Sequence, residues 1–272
     1  MGELDKFSGK ASASSPSKSV TTSRTQTPAW VQKDKGNEAG GADRILQGPS
    51  GRFAIALDAT GSMAGLIDMA KRSIQEILTR VMREAGRPVE IMLVAYRDYD
   101  VPNDIVVASA PSKDHRTLTA WLGQIDARGG GSNDGEAIER ALETISEAGR
   151  FDAIVVAGDE PPNSRAFLQK VNRKDAPAAE DLARRFSQTN TPIHTFVVGD
   201  DPRTVKAFAN LASLSGGQSG KLDGSAEMID MAVMAMLAAL KGSEGVKTYM
   251  RDYHVTSGGA AFGRLLIEGP KK

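Results

Sequence analysis

Asp58, Thr60 and Ser62 follow an apolar run in the stretch FAIALDATGSM, Phe53 to Met63, and they fall at every second position. The residues before Asp58 are apolar, as in a strand that is buried on both faces. At a turn from a strand into a helix, side chains at alternate positions can converge on one point. One carboxylate and two hydroxyls at that point would offer oxygen atoms to a cation.

Two further segments place polar side chains at the ends of predicted strands. The loop ARGGGSNDGEAI carries Ser132, Asn133 and Asp134, and the segment VVAGDEPPN carries Asp159 and Glu160. Ligand sites of open α/β sheets lie beyond the carboxyl ends of the strands, so we expect these groups to meet the first cluster. A site rich in oxygen, with little imidazole and no sulfur, suits Mg²⁺ or Mn²⁺.

Composition removes several other classes of site. The 272-residue chain has no cysteine, which excludes disulfides, thiolate catalysis and zinc–thiolate sites. Its three histidines are scattered, so they indicate neither a zinc site nor a catalytic triad. The glycines at positions 129–131 are not followed by Gly-Lys-Ser/Thr, so the sequence does not indicate a phosphate-binding P-loop.

Charge and hydropathy bear on the partners and the location of the protein. The formal net charge is zero, so no overall field attracts the chain to nucleic acid or to a membrane. The N-terminus lacks the apolar segment of a secretory signal, and no apolar run reaches the roughly 20 residues that span a bilayer. We therefore expect a cytoplasmic protein that engages neither nucleic acid nor membrane.

The chain divides into three predicted parts. Residues 1–50 are rich in Ser, Thr, Lys and Gly and can bury too little apolar surface to offset the entropy of ordering, which predicts a disordered N-terminal arm. Residues 51–241 form the predicted domain, because strand and helix patterns alternate along them. Residues 242–272 form a C-terminal extension, in which the stretch TSGGAAFG is typical of a loop.

The strand patterns of the domain predict its fold class. Five segments read as strands: FAIALDA, VEIMLVAY, DIVVASA, FDAIVVAGD and PIHTFVVGDD. A helix is signalled after the last of them, with Asp201 as N-cap and Pro202 at the first position. The alternation predicts an α/β fold with a Rossmann-like, doubly wound and mostly parallel central sheet flanked by helices.

The segments DATGSM, GGGSNDGEAI and VVAGDEPP, in that order, resemble the motifs of von Willebrand factor A domains. That family carries a metal-ion-dependent adhesion site, in which D-x-S/T-x-S is followed by a loop threonine and then by an aspartate. The resemblance covers about residues 51–241. It implies five metal ligands, which are Asp58, Thr60, Ser62, Ser132 and Asp159. Asp134 is the alternative ligand in the loop, since Ser132 stands where the family has threonine.

The resemblance implies protein binding rather than catalysis. In the family, Mg²⁺ or Mn²⁺ keeps one coordination position open, and a carboxylate of a partner protein fills it. The stretch AYRDYD after the second strand is also similar to a segment in the branch of the family associated with α-kinases, although no kinase domain is present in this sequence. The expected function is therefore a metal-dependent contact with a partner protein.

Two other functions stay open at this point. DATGS is also similar to the DKTGT opening of haloacid-dehalogenase-type phosphotransferases, in which Asp58 would be the nucleophile and Asp200 and Asp201 would hold Mg²⁺. That alternative leaves the segments GGGSNDGE and GDEPP without a role, and Asp201 already has one as an N-cap. The third possibility is a structural scaffold without metal, in which the N-terminal arm does the work.

Overall fold

The computed structural model describes residues 48–130 and 135–269. In this part of the chain, six strands form one sheet in the order β3-β2-β1-β4-β5-β6. The strands are β1 Arg52–Asp58, β2 Glu90–Tyr96, β3 Val106–Ala108, β4 Ala153–Gly158, β5 Ile193–Val197 and β6 Ser219–Lys221. β3 is antiparallel to β2, and the other neighbouring strands are parallel. The mostly parallel α/β sheet predicted from the sequence is confirmed, and β6 extends it at one edge.

Helices flank this sheet in two groups. The helices are α1 Ala64–Ala85, α2 His115–Leu122, α3 Ile138–Glu147, α4 Arg165–Lys170, α5 Ala179–Gln188, α6 Pro202–Ser215, α7 Ser225–Asp252 and α8 Ser257–Glu268. α1 packs against α2 and α7, whereas α5 packs against α3 and α6. Within residues 48–130 and 135–269, no helix is both long enough and apolar enough to cross a membrane.

β1 lies at the centre of the sheet, between β2 and β4. Its residues from Phe53 to Asp58 are buried, as expected of a strand that is covered on both faces. The parallel register pairs Leu57 with Ala95 on β2 and with Ala157 on β4. The carboxyl ends of β1 and β4 therefore lie side by side, at the same end of these two neighbouring strands.

The helix after β5 begins as its sequence predicts. The Asp201 carboxylate accepts a hydrogen bond from the backbone N–H of Arg203 at 3.2 Å, and Pro202 occupies the first position of α6. The helix ends at Gly216, whose φ of 84° places it in the left-handed region that favours glycine. The predicted N-cap role of Asp201 is confirmed.

The C-terminal region differs from its prediction. α7 continues to Asp252 across a break at Gly242 (φ 65°, ψ −159°), and the TSGGAAFG stretch, predicted to be a loop, belongs to α8. Thr256 caps α8 by accepting a hydrogen bond from the N–H of Gly259 at 3.0 Å. A Cβ at Gly263 would lie 2.8 Å from the sulfur of Met234 on α7, so this glycine lets the two helices approach closely. The loop prediction is wrong because packing outweighs the weak helix propensity of glycine.

Candidate metal centre

Asp58 is the last residue of β1, and its carboxyl group is buried at the carboxyl end of this central strand. Its Oδ1 accepts two hydrogen bonds from Thr60, one from the backbone N–H at 2.8 Å and one from the side-chain hydroxyl at 2.7 Å. Its Oδ2 is also buried, and no described residue donates a hydrogen bond to it. An ionised oxygen without a partner is costly in a dry site, so the arrangement favours either a proton or a cation at this atom.

Thr60 and Ser62 lie where β1 turns towards α1. Thr60 has extended backbone angles and precedes the 3₁₀ turn Gly61–Met63, after which α1 begins at Ala64. The two hydroxyl oxygens are 3.4 Å apart, with Thr60 buried and Ser62 exposed. The turn brings the three side chains of the first motif together.

Asp159 follows β4 directly, on the strand that neighbours β1. Its Oδ1 is buried, and within the described residues it has no hydrogen-bond partner. Its backbone oxygen accepts a hydrogen bond from the Thr204 hydroxyl at 2.7 Å, which fixes the segment to α6. Burial raises the pKa of Asp58 to about 7 against the two hydrogen bonds from Thr60, and the negative charge of Asp159 raises it further. The structure thus brings Asp58 and Asp159 together, as the sequence predicts.

Tyr96 and Gly158 form the rear wall of this site. Tyr96 is the β2 neighbour of Asp58, and its hydroxyl donates to the Ala157 carbonyl at 3.0 Å. Burial, together with the nearby carboxylates, raises the pKa of Tyr96 well above its usual value, so the hydroxyl keeps its proton. A Cβ at Gly158 would lie 2.5 Å from the Tyr96 hydroxyl oxygen and 3.0 Å from Asp58 Oδ2. Only glycine fits at position 158. Neither Tyr96 nor Gly158 is among the ligands that the family resemblance implies.

The glycine-rich loop approaches the first motif through its backbone. Gly61 N–H donates to the Gly129 carbonyl at 2.9 Å, and Arg128 N–H donates to the Ala59 carbonyl at 2.9 Å. Gly130 adopts a φ of 86°, in the left-handed region. The loop thereby runs towards Thr60 as far as the structure describes it. Ser132 and Asp134, the two predicted ligands in this loop, lie outside the described residues.

Glu136 is a buried carboxylate beside the site, and it is not one of the residues of the family motifs. Its N–H donates to the Pro161 carbonyl at 2.9 Å, and its carbonyl accepts from the N–H of Asn163 at 3.0 Å. Burial raises the pKa of Glu136 to about 9, and the charges of Asp58, Asp98 and other nearby carboxylates add to this effect. Glu136 lies in the same sequence segment as Ser132, four residues further on. By sequence alone, however, an acid at this position is typical of the first turn of a helix.

The donor set can be tested against a divalent ion. In residues 48–130 and 135–269, no three acidic or histidine side chains converge as a ready cluster for a metal. The motif does not need one, since two carboxylates are complemented by the hydroxyls of Thr60 and Ser62. The buried oxygens of Asp58 and Asp159 that lack a donor are hard ligands of the kind that Mg²⁺ and Mn²⁺ prefer. The residues present therefore fit such an ion.

The acids required by the phosphotransferase alternative have other contacts. Asp201 caps α6 and also accepts a hydrogen bond from the Thr204 hydroxyl at 3.1 Å. Asp200 forms an ion pair with Lys221 at 2.8 Å. Asp201 therefore serves the start of α6, and Asp200 pairs with a residue of β6.

The raised pKa values predict how the stability of the metal-free protein depends on pH. Asp58 and Glu136 bind protons more tightly in the folded chain than in the unfolded chain, so their contribution is fully present near pH 4 and is lost as pH rises through about 7 and about 9, respectively. We expect the free energy of unfolding to fall by about 1 kcal/mol per pH unit between pH 7 and 9.

Urea unfolding in EDTA at pH 7, 8 and 9 would measure this slope, above the range in which His194, whose pKa burial lowers to about 4, changes charge. The double variant Asp58→Asn/Glu136→Gln should remove most of the slope. A metal-free stability that stays constant or increases over this range would contradict the prediction.

Comparison with known proteins agrees with the geometry. The family model described as von Willebrand factor A domain matches residues 52–223. No curated protein matches the chain. Among solved structures, the chain is similar to the open conformation of the pilus adhesin SpaC from Lactobacillus rhamnosus GG, with 11% identity and a TM-score of 0.51 over 72% of this chain and 30% of that one.

Two other solved structures are similar in fold. Proximal thread matrix protein 1 from the mussel byssus, in its second crystal form, has 11% identity and a TM-score of 0.51 over 71% of this chain and 49% of that one. The von Willebrand factor type A protein from Catenulispora acidiphila has 14% identity and a TM-score of 0.48 over 71% of this chain and 43% of that one. The matched region spans less than half of each of these proteins, and at such identities the likeness concerns the fold alone.

Proposed function

The chain belongs to the von Willebrand factor A domain family, and from this membership we propose that it is a metal-dependent protein-interaction module. Domains of this family are generally interaction modules. The proposed ligands of Mg²⁺ or Mn²⁺ are Asp58, Thr60, Ser62, Ser132 and Asp159. The proposed contact with the partner is one carboxylate of a partner protein, bound through the ion. The expected cytoplasmic location stays a prediction.

One observation supports this proposal over the phosphotransferase and the scaffold alternatives. Two buried carboxylate oxygens, Oδ2 of Asp58 and Oδ1 of Asp159, are directed into one site, and no residue in the described ranges donates a hydrogen bond to either. Buried polar atoms in folded proteins nearly always have a partner, so this pair of oxygens supports a cation-binding site.

The neutral ligands account for binding of a partner. Thr60 and Ser62 contribute oxygens without charge, so Asp58 and Asp159 just balance a divalent ion and leave no excess negative charge among these ligands. A bound divalent ion supplies a Lewis acid that can accept one further oxygen ligand. The exposed position of Ser62 leaves that side of the site open to a partner.

Calorimetric titration of Mg²⁺ and Mn²⁺ into the full chain tests the proposal. We expect Asp159→Asn to lower the metal affinity by at least about tenfold, because it removes one of the two charges that hold the ion. The matched control is Asp201→Asn, which removes an equal charge nearby and keeps a good N-cap residue on α6. Affinity that is sensitive to Asp201 and insensitive to Asp159 would favour the phosphotransferase alternative. Absence of metal binding would favour the scaffold.

A further inference from the structure

Glu136 and Glu139 are two buried glutamates at the start of α3, and their surroundings differ. Burial raises the pKa of Glu139 to about 7, and two groups oppose this rise: the Tyr99 hydroxyl, which donates to Glu139 Oε1 at 2.7 Å, and the positive charge of Arg173. Glu136 is only 4% exposed, and among the described residues none donates a hydrogen bond to its Oε2, which is also true of Glu139 Oε2. The difference is that Glu139 has a hydroxyl donor and a nearby arginine, whereas the charged groups around Glu136 are acidic.

The charged groups that most affect Glu136 are all carboxylates. They are Asp58, Asp98, Asp159 and Asp100, so Glu136 is buried in a region of negative charge. Such a group is unfavourable in the fold unless a positive charge joins it. Glu136 Oε2 has no partner among the described residues, and a cation between Glu136 and its acidic neighbours would supply a positive charge.

Glu136 is also held close to the first motif. A Cβ at Gly130 would lie 3.0 Å from Thr60 Cβ and 3.3 Å from Glu136 Oε1, so even a methyl group would be crowded between the two side chains. The backbone of Glu136 is fixed on both sides, by the Pro161 carbonyl and by the N–H of Asn163. These bonds tie it to the segment that follows Asp159.

We propose that Glu136 is a third carboxylate of the cation site at Asp58 and Asp159, and that it strengthens binding of the divalent ion through its charge. This inference rests on the proposed function. Asp58, Asp159 and Glu136 do not form a ready cluster of three ligands. Glu136 therefore acts from just outside the coordination positions, as a positioning residue for the ion.

The alternative is a structural role, in which Glu136 stabilises the N-terminus of α3 because the helix dipole favours negative charge there. An exposed side chain would serve that purpose equally well, and α3 already carries Glu139 in its first turn. The alternative does not explain why Glu136 is buried among four other carboxylates. It also predicts a different result, since a helix-terminal acid would affect stability and leave metal affinity unchanged.

Calorimetric titration of Mn²⁺ and Mg²⁺ into the full chain and into Glu136→Gln tests the inference, together with thermal unfolding in EDTA at pH 8. We expect Glu136→Gln to lower the metal affinity about 10- to 100-fold and to raise the melting temperature of the metal-free protein. Glu139→Gln is the matched control, because it removes a buried carboxylate from the same helix start, and its metal affinity should stay within about twofold of wild type.

The outcomes separate the inference from the proposed function. If wild type binds metal, Asp159→Asn weakens it and Glu136→Gln binds as wild type does, the inference is overturned and the proposed function stands. If wild type binds no metal, both fail. Should Glu136→Gln fail to fold, Glu136→Asp keeps the charge on a shorter side chain. An affinity of Glu136→Asp within about fivefold of wild type supports the inference, and a complete loss of binding overturns it.

Discussion

Replacing Asp58 by asparagine is expected to lower the affinity for Mg²⁺ by at least about a hundredfold, since residues that only support a metal ligand already change affinity 10- to 100-fold. The same change should stabilise the metal-free fold by about 2 kcal/mol at pH 8, because it removes an ionised carboxylate whose burial raises its pKa to about 7. Asparagine can still accept the two hydrogen bonds from Thr60 with its side-chain oxygen.

The opposite signs of these two effects distinguish a functional site from a structural one. Calorimetry would measure the metal affinity, and urea unfolding in EDTA would measure the stability. Asp68→Asn is the control, since it removes an equal charge from an α1 side chain that is 62% exposed, and both quantities should then stay near wild type. Loss of stability in Asp58→Asn, together with unchanged metal affinity, would mean that Asp58 serves the fold.

The second large effect is expected at Asp230, on the first half of α7. Its carboxylate is buried and accepts hydrogen bonds from the Tyr249 hydroxyl at 2.9 Å, the Thr256 N–H at 2.8 Å and the Arg80 guanidinium at 3.4 Å. These partners lie on the second half of α7, before α8 and on α1. One acid therefore ties the C-terminal region to the domain. We expect Asp230→Ala to lower the free energy of unfolding by about 3–5 kcal/mol.

Urea unfolding followed by circular dichroism would measure this loss. Tyr253→Phe is a suitable comparison, because it removes a partly exposed hydroxyl that donates to Glu84 at 2.9 Å in the same region. That change should cost about 1 kcal/mol or less. Equal effects of the two substitutions would show that the Asp230 network adds nothing beyond one ordinary hydrogen bond.

The part of the fold that could be predicted is the part with a local signature. β1 and β4 are covered on both faces and therefore read as largely apolar runs. β6 has the sequence SGK, and its three residues form a strand only because β5 offers a free edge. α8 is rich in glycine, and its helix depends on close contact with α7, which no local pattern reveals.

In the candidate site, likewise, the residues that could be predicted are those that belong to a local sequence motif. Asp58, Thr60 and Asp159 follow from motifs at strand ends, where position in the chain already indicates position in the sheet. Glu136 could not be assigned in this way, because its burial arises when its loop pairs with the segment around Pro162, which is distant in sequence. Tyr96 likewise reaches the site only through the register between β1 and β2.

The central position of β1 has a consequence for how the molecule opens. β1 is hydrogen-bonded to a parallel strand on each side, whereas β3 and β6 are short strands at the edges of the sheet. Local opening is easiest where few strands must separate, so the amide hydrogens of β1 should exchange with solvent only in the rarest openings. The first motif is therefore attached to the slowest-exchanging part of the sheet. Asp58 would keep its place through the partial openings that release β6.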